Sequence, residues 1–174
     1  GPDPGPERTA GAPPAASEAL MSTTTPNARD EMLTMFRDAW NASAAAAAGT
    51  AQPPRVMWDA AEEERGDGPR SDECWAGVSI AHNPPAGGQR TLGETGNRRF
   101  ARAGILTVQV FSPMSVNNSI TVAEDLAVIA RDAYEGRSSP SGVWFRNVGI
   151  QEVGPMDPWF QLNVTAEFSY DEIK

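Results

Sequence analysis

The residues of this sequence that could carry covalent or metal chemistry are few and far apart. Cys74 is the only cysteine and His82 the only histidine, and both fall at one predicted strand. They are eight positions apart in the sequence, which corresponds to about 26 Å of extended chain at ~3.3 Å per residue. That distance is too long for a Cys-His catalytic dyad or a shared zinc ion. We therefore interpret Cys74 as a small buried side chain and His82 as a surface residue without a role.

Other patterns also fall short of a catalytic motif. Glu62, Glu63 and Glu64 are consecutive in a polar stretch, which is typical of solvated carboxylates and not of a paired acid and base. Gly87-Gly88 lacks the following Lys and Ser or Thr of a phosphate-binding loop, and no nucleophile elbow occurs. The sequence predicts that the chain is not an enzyme and has no cofactor and no metal.

Composition narrows the class of protein further. The chain has 174 residues, which suits one domain, and a net charge of −9, which disfavours binding to duplex DNA. A single cysteine excludes an intramolecular disulfide and favours assembly in a reducing compartment. No apolar run approaches the ~20 residues of a membrane span, so we expect no membrane association.

Turn and cap residues divide the chain into a tail and a folded domain. Residues 1–26 are rich in Gly, Pro and Ala and are predicted to be a flexible tail, while residues 27–174 form the domain. One helix is predicted over residues 27–48, with Asn27 as its N-cap and Gly49 as its stop. A capping box from Thr121 to Glu124 opens a second helix, which Gly136 closes.

Alternating side chains predict the strands. The clearest is the last, residues 159–170, where Phe160, Leu162, Val164, Ala166 and Phe168 alternate with polar residues. Further strands are predicted at residues 55–58, 75–82, 99–111 and 143–153, with long loops at residues 59–73 and 83–98.

The order α-β-β-β-α-β-β predicts an α+β fold, with two helices packed on one face of a four- to five-stranded mixed or antiparallel sheet. The other face stays uncovered. Its residues Gln161, Asn163 and Thr165 are candidates for a subunit interface or a surface that lines a lumen.

Charged residues suggest how subunits could meet. Basic residues gather on and beside the second long loop, and acidic residues gather in the first. We hypothesise that the basic loop of one subunit meets the acidic loop of the next, in a closed head-to-tail ring. The candidate residues are Arg90, Arg98, Arg99 and Arg102 on the basic side, and Glu62, Glu63 and Glu64 on the acidic side.

Four segments in this order give the chain a family resemblance. It resembles the tail terminator, or tail completion, proteins of long-tailed bacteriophages. The segments are ARDEML at residues 28–33, RAGILTVQVF at residues 102–111, GVWF at residues 142–145 and WFQLNVTAEFSYDE at residues 159–172.

The resemblance implies a structural virion protein of the tail and neck, assembled in the host cytoplasm. Such a protein forms a homo-oligomeric ring, a hexamer in this family, that caps the tail tube and ends its polymerisation. Its implied partners are the tail tube protein and a head-completion or connector protein, and DNA passes through the lumen without specific binding. Two alternatives remain: another neck component, or a small-ligand-binding or enzymatic α+β domain.

Overall fold

The computed structural model describes residues 1, 22–58, 68–83 and 91–174. Two helices and six strands form within these residues, and they confirm the predicted α+β class and element order. The helices are α1 (Thr25–Ala48) and α2 (Ser119–Asp132). The strands are β1 (Arg55–Trp58), β2 (Trp75–His82), β3 (Thr91–Leu92), β4 (Arg99–Pro113), β5 (Trp144–Met156) and β6 (Trp159–Ile173). Strand β3 lies in the predicted loop of residues 83–98 and pairs with the start of β4, which the loop composition did not indicate.

The strands form one mixed sheet in the order β1-β2-β4-β6-β5. Strand β1 runs parallel to β2, and the other neighbouring strands are antiparallel. Strands β4 and β6 pair along their full lengths, from Arg99 opposite Ile173 to Pro113 opposite Trp159. This long central pair sets the faces and the two edges of the whole sheet.

The core lies between one face of the sheet and the two helices. The alternation predicted for the last strand is confirmed, because its apolar set from Phe160 to Phe168 is buried. Helix α1 adds Met32, Phe36 and Trp40 to the same core. Two buried polar atoms are satisfied by backbone carbonyls: Tyr134 Oη donates to Met32 O at 3.0 Å, and Trp40 Nε1 donates to Pro54 O at 2.8 Å.

Helix α1 starts earlier than predicted. Thr24, not Asn27, is the N-cap, and its hydroxyl accepts a hydrogen bond from the Asn27 backbone N–H at 3.4 Å. Pro26 fits here because the first turn of a helix does not need its missing N–H. The preceding Thr23 is buried and donates its N–H to Asp171 O at 2.9 Å, so the fold begins before residue 27. Gly49 ends α1 with φ 67°, as predicted.

Helix α2 also differs at both ends. It begins at Ser119, so Thr121 lies inside the helix and the predicted capping box does not form. The Ser119 hydroxyl instead donates to Ser112 O at 3.3 Å, a contact that only the folded chain supplies. The helix ends at Asp132, and Gly136, with φ 67°, closes the turn that follows it.

Gly104 in β4 makes room for an aromatic ring from the neighbouring strand. A Cβ atom at this residue would lie 2.4 Å from Phe168 Cζ and 2.3 Å from Ala81 O. Gly77 in β2 is less crowded, since its nearest neighbour, Gln109 Oε1, would be 3.5 Å from an added Cβ.

We therefore predict that Gly104→Ala lowers the free energy of unfolding by about 2 kcal/mol, because the backbone of β2 or the ring of Phe168 must move. The matched control Gly77→Ala should change it by less than about 0.5 kcal/mol. Urea unfolding of both variants checks this, and equal losses would contradict the close packing described for Gly104.

Candidate assembly surfaces

The predicted interface residues of β6 lie on the sheet face that carries no helix, called the open face below. Asn163 and Thr165 are half-buried there, and each pairs across the sheet with a polar residue of β4, Gln109 and Thr107 respectively. Gln161 is only 5% exposed, and its amide donates to Asn163 Oδ1 at 2.8 Å. The middle of the open face is therefore a surface of amides and hydroxyls without a Lys or Arg side chain among these five residues.

An aromatic cluster that the sequence reasoning missed occupies one end of the open face. The rings of Trp75 and Phe111 stack at 3.9 Å, and Trp159 meets Trp75 edge-on at 5.9 Å. Trp159 Nε1 donates to Glu73 O at 3.1 Å. Trp75 Nε1 is buried without a hydrogen-bond partner among the described residues. Only the strand register brings these three rings together, so no local pattern signals the cluster.

The predicted basic residues divide into two groups. Arg99 forms an ion pair with Asp171, and Arg102 Nη2 lies 2.8 Å from Glu172 Oε2. Arg98 is exposed, while its backbone N–H and C=O both bond to Lys174. Two of the predicted arginines are thus paired inside the chain.

The remaining interface candidates lie outside the described residues. They are Arg90, Glu62, Glu63 and Glu64. The proposed contact between a basic and an acidic loop of neighbouring subunits stays a prediction. Arg98 is an exposed residue of that basic loop whose position the structure describes.

His82 is not the isolated surface residue that was predicted. Its Nε2 lies 3.0 Å from Tyr170 Oη, which hydrogen-bonds Thr25 Oγ1 at 2.9 Å. Partial burial, and then the charges of Arg29 and Arg102, lower the pKa of His82. The imidazole therefore joins β2 to β6 and to the start of α1 in its neutral form.

Cys74 lies just before β2, at the opposite end of that strand from His82. Its Sγ is 3.8 Å from Ser112 Oγ, and burial raises the pKa of the thiol. A cleft of about 870 Å³ adjoins it, between the end of α1 and the start of α2.

Among the residues with described positions, no group of His, Cys, Asp or Glu side chains could hold a metal ion. Neither described helix is both long and apolar enough to cross a lipid bilayer.

Glu31 fastens α1 to the loop before β5. Its carboxylate accepts hydrogen bonds from the hydroxyls of Ser139 and Ser141, from Ser141 N at 3.2 Å and from Asn27 Nδ2 at 3.2 Å. Partial burial acts to raise the pKa of Glu31, but these donors outweigh it and hold the pKa below its ordinary value. Sequence reasoning gave this residue no such role, because its partners Ser139 and Ser141 lie 108 and 110 residues away along the chain.

We predict that acid destabilises the fold in two steps. The pKa of His82 is below its ordinary 6.5, so its contribution to stability is complete above that pH and falls as pH decreases. The pKa of Glu31 is below its ordinary 4.5, so its contribution is lost as pH falls further. Thermal unfolding between neutral pH and pH of about 3 should show both declines. Glu31→Gln should flatten the more acidic one, and an unchanged acidic limb in that variant would contradict the assignment.

A second prediction separates folding from assembly at the arginines. Arg102→Glu should lower the free energy of unfolding by about 2 kcal/mol, since it faces the carboxylate of Glu172. Arg98→Glu should change it by less than about 0.5 kcal/mol. If the loop contact between subunits forms, Arg98→Glu and added salt should both weaken self-association in sedimentation velocity. An oligomer that neither change affects would show that this loop is not an interface.

Comparisons with known proteins give weak structural likenesses and no sequence match. Neither a protein-family model nor a curated protein sequence matches the chain. One solved structure without a descriptive name is 13% identical, with a TM-score of 0.46, over 82% of this chain and 95% of its own. A chain of "Virion of native gene transfer agent (GTA) particle" is 18% identical, with a TM-score of 0.47, over 89% of this chain and 99% of its own. At such low TM-scores neither likeness assigns a function to this chain.

Proposed function

We propose that this chain is a structural virion protein of a phage-like particle and acts as its tail terminator. Copies of the chain form a ring, a hexamer in the family it resembles, that caps the tail tube and ends tube polymerisation. The ring then offers the surface on which a head-completion or connector protein docks. The chain has no catalytic role in this proposal.

The observation that carries the proposal is that the domain is built with one covered and one uncovered side. The helices cover one face of the sheet, while no described helix or strand covers the open face and no described strand pairs with the outer side of β1 or, beyond the isolated bridge from Ser138 to Trp144, of β5. Three of the four segments that carry the family resemblance lie in the long helices and strands of this domain. Residues 28–33 lie in α1, residues 102–111 in β4 and residues 159–172 in β6. The resemblance therefore rests on the elements that define the fold.

The charges of the open face support a lumen through which DNA slides. A surface that binds DNA tightly presents unpaired Lys and Arg to the phosphates. On this face Arg99 is paired with Asp171, and Arg146 Nε lies 3.2 Å from Glu167 Oε2. The intervening amides and hydroxyls offer hydrogen bonds without net positive charge. These features support passage of DNA without specific binding.

The described chemistry gives little support to the enzymatic alternative. The thiol of Cys74 has a raised pKa, so little of it is the reactive thiolate at neutral pH. His82 lies at the other end of β2 and is engaged with Tyr170. The cleft beside Cys74 is lined by apolar residues of the end of α1 and the segment after it, and also by polar and charged residues that include Asp72, Glu73 and Ser112.

Loss of the chain from its particle tests the proposed function. Disrupting its reading frame in the phage or phage-like element that encodes it should give overlong tails, or tails that do not join heads. Electron microscopy measures tail length, and expression of the wild-type chain in trans is the control. The purified chain should also bind tail tubes in the absence of heads. Tails of normal length on defective heads would instead identify another neck component.

A further inference from the structure

The two edge strands of the sheet, β1 and β5, differ in length, but β5 contains one regular stretch that is as long as β1. Among the described strands, β5 pairs with β6 alone and β1 pairs with β2 alone, while Trp144 at the start of β5 also forms an isolated bridge with Ser138. Two bulges interrupt β5, one between Arg146 and Gly149 and one between Glu152 and Gly154. The regular stretch between them is residues 149–152, which is four residues long like β1. Bulges blunt an edge against pairing, so only this stretch offers a straight row of free backbone N–H and C=O groups.

Exposed apolar side chains concentrate along the same flank. On β5 itself, Trp144 is 45% exposed and Val153 is 47% exposed. Beyond the hairpin end of β5, a groove of about 500 Å³ runs between Met114, Ile120 and Pro155. The large hydrophobic residues exposed on this flank are Trp144, Ile150, Val153, Met156, Met114, Val116 and Ile120. Such a row beside an open strand edge marks an interaction surface.

The direction of the strands identifies what fits this edge. Neighbouring strands alternate in direction except for the parallel pair of β1 with β2, so β5 runs opposite to β1. When a second copy is placed beside the first with its helices on the same side, its β1 runs antiparallel to β5. Antiparallel pairing needs no crossover and would use the outward-facing backbone groups of residues 149–152 and of residues 56–58.

The side chains on the helix side of these two stretches are also compatible. Ile150 lies opposite Val164 of the core, and Val56 packs against the core from β1. Both are β-branched and apolar, a combination that pairs well across strands. Met57 is the neighbour of Val56 whose side chain lies on the other face, opposite Gly77 in the register.

We propose that residues 149–152 of β5 pair with β1 of a second copy, so that the sheets of successive copies join edge to edge. The contact is head-to-tail, because different edges meet, and repetition of it closes a ring that leaves no free sheet edge. The inference rests on the ring of the proposed function and names the strands that build it.

Engineered disulfides test the pairing in the full chain with Cys74→Ser. Ile150→Cys combined with Val56→Cys should give, after oxidation, a ladder of cross-linked species on a non-reducing gel, and the largest band should report the number of subunits. The matched control, Ile150→Cys with Met57→Cys, should not cross-link, because those side chains lie on opposite faces. A dimer from Ile150→Cys alone would overturn the proposal in favour of pairing between two β5 strands. Absence of any cross-link from the Ile150 and Val56 pair would also overturn it.

A second measurement avoids cysteines. Val153→Lys places a charge at the edge and should abolish self-association in sedimentation velocity, while its circular dichroism stays that of the wild type. Ile105→Lys is the control, since Ile105 is similarly exposed at 43% but lies on the open face, away from the β5 edge. Equal effects of the two variants, or no effect of Val153→Lys, would overturn the proposal. Gene disruption tests the terminator role separately. Overlong tails together with an absence of cross-linking would support the terminator role and rule out this interface.

Discussion

The antiparallel pairing of β4 with β6 is the constraint on which the rest of the structure depends. A slip of one residue between these strands would exchange their covered and open faces, because side chains alternate along a strand. The ring of Phe168 lies where Gly104 has no Cβ, and this contact opposes such a slip. The register then places Val108 opposite Val164 under the helices and Gln109 opposite Asn163 on the open face.

Polar contacts hold the helix layer to that sheet at defined points. Glu31 connects α1 to the loop before β5, and Tyr134 connects α2 to α1 through Met32 O. The network of Thr25, Tyr170 and His82 fixes the start of α1 over the end of the sheet. Each of these groups is partly or fully buried, so its hydrogen bonds offset the cost of removing it from water. Acid acts on two of the same groups, which links the attachment of α1 to pH.

The same architecture explains why the chain suits an assembly. Helices that cover one face leave a second face and two edges, and a free edge invites uncontrolled pairing unless something covers it. The bulges in β5 limit that risk to four residues, residues 149–152. Two cations of the open face are paired within the chain, Arg99 with Asp171 and Arg146 with Glu167. A ring would bury the edges and turn a nearly neutral polar face towards its lumen, which is the role proposed here.

The sequence by itself determined the class of fold, the order of the elements and the buried side of the last strand, because periodicity and turn residues act over a few neighbouring positions. It misplaced the cap of α1 and the start of α2, where several Ser, Thr and Asn residues compete and tertiary contacts select among them. Only the tertiary structure decided the pairing of Arg102 with Glu172, 70 residues away, and of His82 with Tyr170, 88 residues away. The aromatic cluster on the open face belongs to the same group. These contacts depend on strand register, which brings together residues that are far apart in the sequence. No pattern among neighbouring residues predicts that register.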